Sequence, residues 1–426
     1  MMAAIKAAEA GCEVTVLEKN SFCGKKINIT GRGRCNITNT RKWNEFSQHL
    51  HPSAAFARSA FYNFSNEALL DYLLEIGLET VVDRGERVFP ASMKASDVSR
   101  TLVQRIEELG IRVLYNCDVI DVRKGAAAGV ASPAAGHSGF ICTYNRDSDL
   151  SHEGVISAEA VIVATGGLSY PSTGSTGSGL EIAKSFGLEV TETFPSLTAL
   201  TPEHYDLDLI GVELKNVGLN LFIDRDLIQL EQGELSFTSG GIEGALGFRL
   251  SRKAVKALRS GSRVELELDL KPALSLETLD KRIEREISLD NLTLASEIGP
   301  VKMRNLLRSL MPEALIKPFL NANPDLKLRN LAGRLKGWRF KIVSYVGYER
   351  SVVTAGGVSQ KEIVPKTMCS RRIEGLYFAG EVLDLDGDTG GYNLQLAFST
   401  GALAGERAAQ QILKSKSSSE AASASE

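Results

Sequence analysis

The sequence predicts an α/β protein in which one nucleotide-binding domain is interrupted by an insertion. Three observations predict it. The chain opens on a helix and a short strand that ends in an acid, Glu18. A continuous apolar run, AVIVAT (160–165), leads into Gly166-Gly167, as expected of a parallel strand buried on both faces. After a middle block of different texture, a second buried strand (EGLYFAGE, 374–381) and a long helix restore the opening pattern.

Met1 to Ala10 is alanine-rich helix sequence, and Gly11 fits its C-terminal cap. Glu13 to Leu17 (EVTVL) alternates like a strand. Helix, strand and acid form the second half of a dinucleotide-binding βαβ unit, whose first half is a strand and G-x-G-x-x-G. A whole unit takes roughly 30 residues, so about a dozen are expected upstream of Met1. Asn20 to Asn39 reads as a basic, glycine-rich loop. Helices are predicted at 53–63, 66–76 and 96–109, and strands in VVDRGERVFP, IRVLYN, CDVIDVRK and FICTYN. GAAAGVASPAAGHSG (125–139) is low-complexity and reads as a mobile hairpin loop.

Texture changes near Thr191. Short alternating strands such as LNLFID (219–224) and RVELELDL (263–270) accompany one helix, 247–259. Residues 275–322 read as helical: Leu276, Leu279, Ile283 and Ile287 share a face, with Ser275 as N-cap. Strands return in FKIVSYVG and SVVTAGGV, a helix is predicted over 394–413, and the tail KSKSSSEAASASE is expected to be disordered.

Composition narrows the function. Of 426 residues, 43% are hydrophobic and 24% charged, ample for a large core. A net charge of −3 advertises neither nucleic acid nor an anionic membrane. No apolar run approaches the ~20 residues of a membrane span, and no signal peptide precedes the first helix, so the cytoplasm is the expected location. Cys12, Cys23, Cys35, Cys117, Cys142 and Cys369 form no C-x-x-C and read as reduced thiols. The histidines, with His49 and His51 read as plain surface residues, show no ligand spacing, and no metal is expected.

The chemistry-bearing motifs lie at strand ends. Glu18 stands where an acid accepts hydrogen bonds from ribose hydroxyls, or is an ordinary exposed glutamate. A-T-G after a buried strand, as in 164–166, is typical of flavoproteins with two dinucleotide folds; a plain strand-to-turn junction is the alternative. The strongest motif is GLYFAGEVLDLDGDTGGYNLQLAFSTGALAGE (375–406). Its strand ends in Gly380-Glu381, where many flavoproteins place an acid on a ribityl hydroxyl. Gly390-Gly391-Tyr392-Asn393 then opens a helix whose free N–H groups and positive end would face a flavin N1/C2=O edge. The run Asp384, Asp386, Asp388 imitates a calcium loop, but Leu394 stands where the bidentate glutamate belongs. In GKKINITGRGRCNITN (24–39), Gly31, Gly33, Lys25, Lys26, Arg32 and Arg34 suit phosphates or a solvated basic loop equally. SYPSTGSTGSGLEIAKSFG (169–187) carries Gly174, Gly177 and Gly179 too far past its strand for a dinucleotide turn, and reads as a loop facing the active site.

These motifs, with VTAGGV and PKTMCS, resemble the BaiN/RdsA-type (formerly YhiN-type) NAD(P)/FAD-dependent oxidoreductases, from Ala3 to about Ala408. The resemblance implies a discontinuous, glutathione-reductase-like FAD domain (1–190 and 352–412) with an inserted β-barrel (191–272 and 326–351). A small helical subdomain (273–325) and a disordered tail (413–426) complete it. It implies that FAD is bound by Glu18, Lys19, Lys26, Gly31, Gly33, Arg34, Cys35, Asn36, Val119, Ala164, Thr165, Gly166, Gly380, Glu381, Asp386, Gly390, Gly391, Tyr392 and Asn393. It further implies hydride exchange between flavin N5 and a small organic substrate, with NAD(P)H or dioxygen as second partner. Two departures stand out. The family's N-terminal strand and G-G-G-x-A-G are absent from this sequence. GELSFTSGGIEGALG (233–247) also lacks the histidine or aromatic and the proline of the family's F-T-x-x-G-x-S-G-P stretch. No C-x-x-x-x-C supports disulfide reduction. Asn36, Tyr170, Thr354 and Asn393 are polar candidates near the ring, with no acid or base singled out. A flavin-binding sensor with little turnover, or a truncated form with impaired FAD binding, are the alternatives.

Overall fold

A computed structural model describes residues 1–125, 139–146, 149–288 and 292–423. Most of the 125–139 loop therefore lies outside the described residues. The chain divides into two compact units, Met1–Thr193 with Val353–Glu426, and Phe194–Val352.

In the first unit, helix α1 (Met2–Glu9) leads to strand β1 (Thr15–Leu17), which pairs in parallel with β6 (Arg112–Leu114). Strand β10 (Val161–Val163) pairs in parallel with β19 (Leu376–Phe378), far along the chain. Among the described residues, β1 and β10 each have that single ladder partner. The predicted loop at 20–39 contains a short helix, α2 (Lys25–Ile29), and ends in β2 (Thr38–Asn39). Strand β2 pairs with β5 (Arg87–Pro90), itself the partner of β4 (Thr80–Asp83). Helices α3 (Trp43–Phe46), α4 (Ala54–Asn63), α5 (Asn66–Glu75) and α6 (Ala95–Glu108) complete the N-terminal half, with β3 (Leu50–His51) antiparallel to β20 (Asp386–Gly387). Strands β7 (Cys117–Lys124), β8 (Phe140–Arg146) and β9 (Asp149–Ala158) form an antiparallel sheet. Strand β9 is not apparent in the sequence, where DLSHEGVISA carries little β-branched or aromatic content; pairing with β8 decides it. Helix α7 (Ser178–Ser185) and strand β18 (Val353–Ala355) precede the last helix, α13 (Tyr392–Ser423).

The expectation of a disordered tail is overturned as far as Ser423. Residues 414–423 continue α13, because extending a packed helix through Ala, Lys, Glu and Ser needs no new nucleus. Helices α1 and α13 cross at small residues: a Cβ on Gly405 would stand 2.2 Å from the Ala3 carbonyl oxygen. Around that crossing Ile5, Leu69, Leu73, Leu102, Ile106 and Ala402 are buried. A second core joins Val163, Leu376, Phe378, Leu403 and Ala404.

The second unit contains β11 (Phe194–Ser196) and a closed barrel, in the order β12 (Leu200–Pro202), β15 (Gly241–Glu243), β14 (Asp226–Thr238), β13 (Glu213–Ile223), β16 (Val264–Asp269) and β17 (Trp338–Tyr345). Alternation in RVELELDL buries Val264, Leu266 and Leu268, and helix α8 (Gly244–Arg259) buries Leu246, Leu250 and Val255. Helices α9 (Leu276–Ser288), α10 (Pro300–Leu310) and α11 (Glu313–Ala322) follow, with the Ser275 hydroxyl accepting the Thr278 N–H at 3.1 Å. Residues 328–336, expected within the barrel, instead form helix α12 (Leu328–Lys336). Its apolar residues recur at helical spacing (Leu328, Leu331, Leu335), and all three are buried.

Candidate functional site

The C-terminal ends of β1, β10 and β19 lead into loops that bind one another. Asn20, past β1, donates through Nδ2 to the Thr173 carbonyl at 3.0 Å, and Lys19 reaches the Thr176 hydroxyl at 3.1 Å. Ser169, past β10, donates its hydroxyl to Glu381, past β19, at 2.6 Å. In open α/β sheets the crevice beyond the strands' carboxyl ends is where ligands bind.

The Lys26–Ser169–Glu381–Thr354 network is the most connected part of this region. Lys26 Nζ donates to Ser169 Oγ at 2.9 Å and to Glu381 Oε2 at 3.0 Å. The Thr354 N–H donates to Glu381 Oε1 at 2.9 Å, while its hydroxyl oxygen accepts the N–H groups of Leu168 and Ser169. Helix α2 makes this possible by turning Lys26 inward. Gly166 is nearby: a Cβ built there would lie 3.9 Å from Lys26 Nζ and 2.7 Å from Ser175 Oγ.

Residues 31–35 are wound unusually tightly. Gly31, Arg32, Gly33 and Cys35 all have positive φ, and non-glycine residues adopt that conformation at a cost of about 1 kcal/mol or more each. No atom lies within 4 Å of a Cβ position on Gly33. Arg34 donates through Nε to the Gly31 carbonyl and lies 5.2 Å from the Phe89 ring. Cys35 is fully buried, and burial pushes its thiol up to about 11.

The start of α13 is clamped by asparagines. With its amide oriented to satisfy both ends, Asn36 accepts the Gly391 N–H at 3.0 Å and donates to the carbonyls of Thr38 and Val88. Asn39 donates to the Gly390 carbonyl at 3.0 Å. Asn393 accepts the Gly387 N–H and donates to the Gly387 carbonyl. A Cβ on Gly391 would stand 2.4 Å from the Thr38 backbone, so this glycine is set by the close approach of two chain segments.

The structure thus joins Lys26 to Glu381, Asn36 to Gly391, and the 164–176 loop to both strand ends. Glu18 accepts the backbone and side-chain N–H groups of Asn20 through Oε1 at 2.8 and 2.7 Å. Lys19 also pairs with Asp118 at 2.8 Å. Ala164 and Thr165 follow β10 directly, and Gly380 donates its N–H to the Thr400 hydroxyl at 3.0 Å. Val119 packs against the second core, and Asp386 is fully buried on β20. Asn36, Thr354 and Asn393, expected among polar groups near the ring, each bond backbone groups through their side chains.

One expectation is corrected. His49 and His51 are not plain surface residues: both face Asp388, His49 Nδ1 at 2.8 Å and His51 Nε2 at 3.4 Å. Burial pushes the Asp388 carboxyl up, but the two imidazoles outweigh it and hold it below its ordinary value. The pairing of β3 with β20 creates this contact between residues 337 positions apart, and only the aspartate run hinted at it.

The sequence model of the HI0933-like protein Rossmann domain matches residues 1–407. A 3-dehydro-bile acid delta(4,6)-reductase of Clostridium scindens is 29% identical over 424 residues, covering 96% of this chain and 97% of that protein. A ribosomal RNA dihydrouridine synthase of Escherichia coli is 28% identical, covering 98% and 96%. Among solved structures, the 3-ketosteroid delta1-dehydrogenase of Sterolibacterium denitrificans superposes with a TM-score of 0.50 at 12% identity, covering 96% of this chain and 97% of that one. No helix among the described residues is long and apolar enough to cross a membrane.

Proposed function

Because the chain belongs to the HI0933-like Rossmann family, we propose that it is a flavin-dependent oxidoreductase. In this reading it holds FAD where β1, β10 and β19 end, and exchanges hydride between flavin N5 and a small organic molecule. The observation that carries this reading is the convergence of three parallel-strand ends with the basic 24–36 segment, joined through Lys26 and Glu381. The residues present suit the group. The turn at Gly33 leaves open space in a basic segment, and Glu381 is a half-buried carboxylate beside a lysine.

Bound flavin would supply two-electron hydride chemistry. Glu18 uses Oε1 for Asn20, and its Oε2 would accept from ribose. Arg34 and the left-handed turn at 31–35 would meet phosphate charge. Glu381, held by Lys26, would meet the ribityl chain. The first turn of α13 would place its N–H groups and positive dipole end against the pyrimidine edge. NAD(P)H or dioxygen would complete the cycle.

Both relatives' names describe saturation of a carbon–carbon double bond, one in a delta(4,6) bile acid and one in uridine. Reduction of an activated C=C is therefore the direction this reading takes. The test is an absorbance spectrum of the purified protein, followed by anaerobic addition of NADH or NADPH. Visible flavin bands that bleach and return on adding a conjugated ketone support it. Protein that stays colourless when incubated with FAD, and retains none on gel filtration, overturns it.

A further inference from the structure

Arg41 lies just past the clamped 36–39 segment and is held on almost every side. Its backbone N–H donates to Asn39 Oδ1 at 3.1 Å, and its carbonyl accepts from Asn66 at 2.9 Å. Its Nε donates to Glu86 at 3.0 Å. Its Nη1 donates to His49 Nε2 at 2.8 Å and to the Tyr392 hydroxyl oxygen at 2.9 Å.

A guanidinium has five N–H donors and no acceptor. His49 Nε2 must therefore accept, which places the His49 proton on Nδ1, donated to Asp388 Oδ2 at 2.8 Å. The Asp388–His49 pair thus fixes one face of Arg41, and Glu86 fixes its edge. Three of the five N–H groups are committed. The two on Nη2 have no acceptor among the described residues, and the Arg41 side chain is 29% exposed.

Tyr392 completes the arrangement. Its ring is buried, stacked on His49 at 4.6 Å and against Phe46 at 4.8 Å. Arg41 donates to its oxygen, so the hydroxyl's own hydrogen is directed elsewhere, and no acceptor for it exists among the described residues. Burial pushes the phenol up to about 12, so it remains a donor at neutral pH. Two N–H groups and one O–H are thus left unfilled around a single fixed cation, at the N-terminal residue of α13. Such a donor set fits an oxygen that carries or develops negative charge.

We propose that Arg41 and Tyr392 take the carbonyl oxygen conjugated to the carbon–carbon double bond that this protein reduces. The inference rests on the reductase reading above and adds the residues that hold the carbonyl oxygen of its conjugated substrate. Bound reduced flavin would supply the hydride that the β-carbon accepts. The C=C electron pair moves to join the α-carbon and the carbonyl carbon, and the C=O pair moves onto oxygen. Arg41 Nη2 and the Tyr392 hydroxyl hold that oxygen while the α-carbon takes a proton from water. Hydride and proton together saturate the bond, with both electrons supplied by the flavin. His49, Asp388 and Glu86 act as positioning residues.

The experiment uses flavin-loaded protein reduced anaerobically with dithionite and mixed with cyclohex-2-enone, a 3-oxo-Δ4 steroid or uridine. Flavin reoxidation is followed by stopped flow. Arg41→Gln should slow reoxidation about 100-fold, the usual loss for one oxyanion donor, with flavin content retained. Arg41→Lys should recover part of the loss, and Asp388→Asn should show a smaller loss than Arg41→Gln. The infrared C=O stretch of the bound probe on the oxidised protein should lie below its value in water for wild type, and return toward it in Arg41→Gln. Reoxidation of Arg41→Gln at the wild-type rate, or an unshifted stretch in wild type, overturns the assignment while leaving the reductase reading intact. So does competition by acetate or phosphate without any C=O shift, which would make this a site for free anions. If none of the three probes reoxidises the wild-type flavin, the reductase reading itself fails.

Discussion

Two carboxylates leave the same connection between β19 and α13 and meet different company. Glu381 is surrounded by the Lys26 ammonium, the Ser169 hydroxyl and the Thr354 backbone N–H. Asp388, seven residues on, faces two imidazoles. The first carboxylate is anchored by an ammonium, a hydroxyl and a backbone N–H, the second by two imidazoles. One short segment therefore carries a cation-held carboxylate at one end and an imidazole-held one at the other, with Gly390 and Gly391 following the second.

The largest expected effect comes from crowding the clamped glycine pair at the start of α13. In Gly391→Leu the new Cβ falls 2.4 Å from the Thr38 carbonyl, and neither backbone can move without losing the Asn36 clamp. Left-handed backbone at this glycine, φ +92°, adds strain. Together these should destabilise the protein by about 4 kcal/mol. Urea unfolding would measure it, and flavin content should fall with stability. Normal stability with flavin lost would move the cause to a direct clash with cofactor.

The contrast between the two carboxylates also explains what could be read from the sequence. Glu381 is legible because a buried apolar strand ends in glycine and an acid, a local pattern. Even there, its partner Lys26 lies 355 residues away and is brought in by a helix that the basic 24–39 segment does not advertise. Asp388 stood out within an aspartate run, but its partners did not. His49 and His51 sit in polar sequence, and only the two-residue pairing of β3 with β20 brings them near. Arg41 gave no signal, since what distinguishes it is how many of its donors are already occupied. Elements with a strong period, such as α6 and β16, were readable throughout. Strand β9, helix α12 and the extension of α13 were set by tertiary neighbours or by helix propagation.

Lys26→Met sharpens the comparison from the Glu381 side. It leaves the carboxylate with a hydroxyl and one backbone N–H and removes its only cationic partner among the described residues. With both side chains half-buried, at 26% and 17% exposure, the loss should be about 2 kcal/mol. Glu381→Gln paired with it in a double-mutant cycle would separate the coupling from the two single losses. Additive losses would show the pair to be uncoupled.

The Asp388 side should reveal itself by pH. The folded carboxyl is held below its unfolded value, so its contribution is fully present above about pH 4 and is lost as the pH falls through the folded value. The stability difference between wild type and Asp388→Asn should therefore be steady near neutrality and shrink below about pH 4, with a plateau of about 1 kcal/mol. Urea unfolding across a pH series would measure it. A difference that grows on acidification would mean that the histidines do not favour the ionised carboxylate.

The smallest effect should come from Lys19, which borders the same crevice. Its ion pair with Asp118 at 2.8 Å is as short as any near the site, but both side chains are more than a third exposed, at 37% and 38%. Water already solvates both charges, and holding a long lysine in one geometry costs side-chain entropy, so exposed pairs contribute little. The Thr176 hydroxyl at 3.1 Å adds one neutral acceptor and does not change that balance. Lys19→Ala should cost less than about 0.5 kcal/mol, and raising the salt concentration should shrink the difference further, since screening acts on exposed charges. Lys26→Met should keep most of its effect in the same salt series, because its pair is less exposed. If the two substitutions proved equally costly and equally salt-sensitive, burial would not be what separates the anchor at Glu381 from the pairs around it.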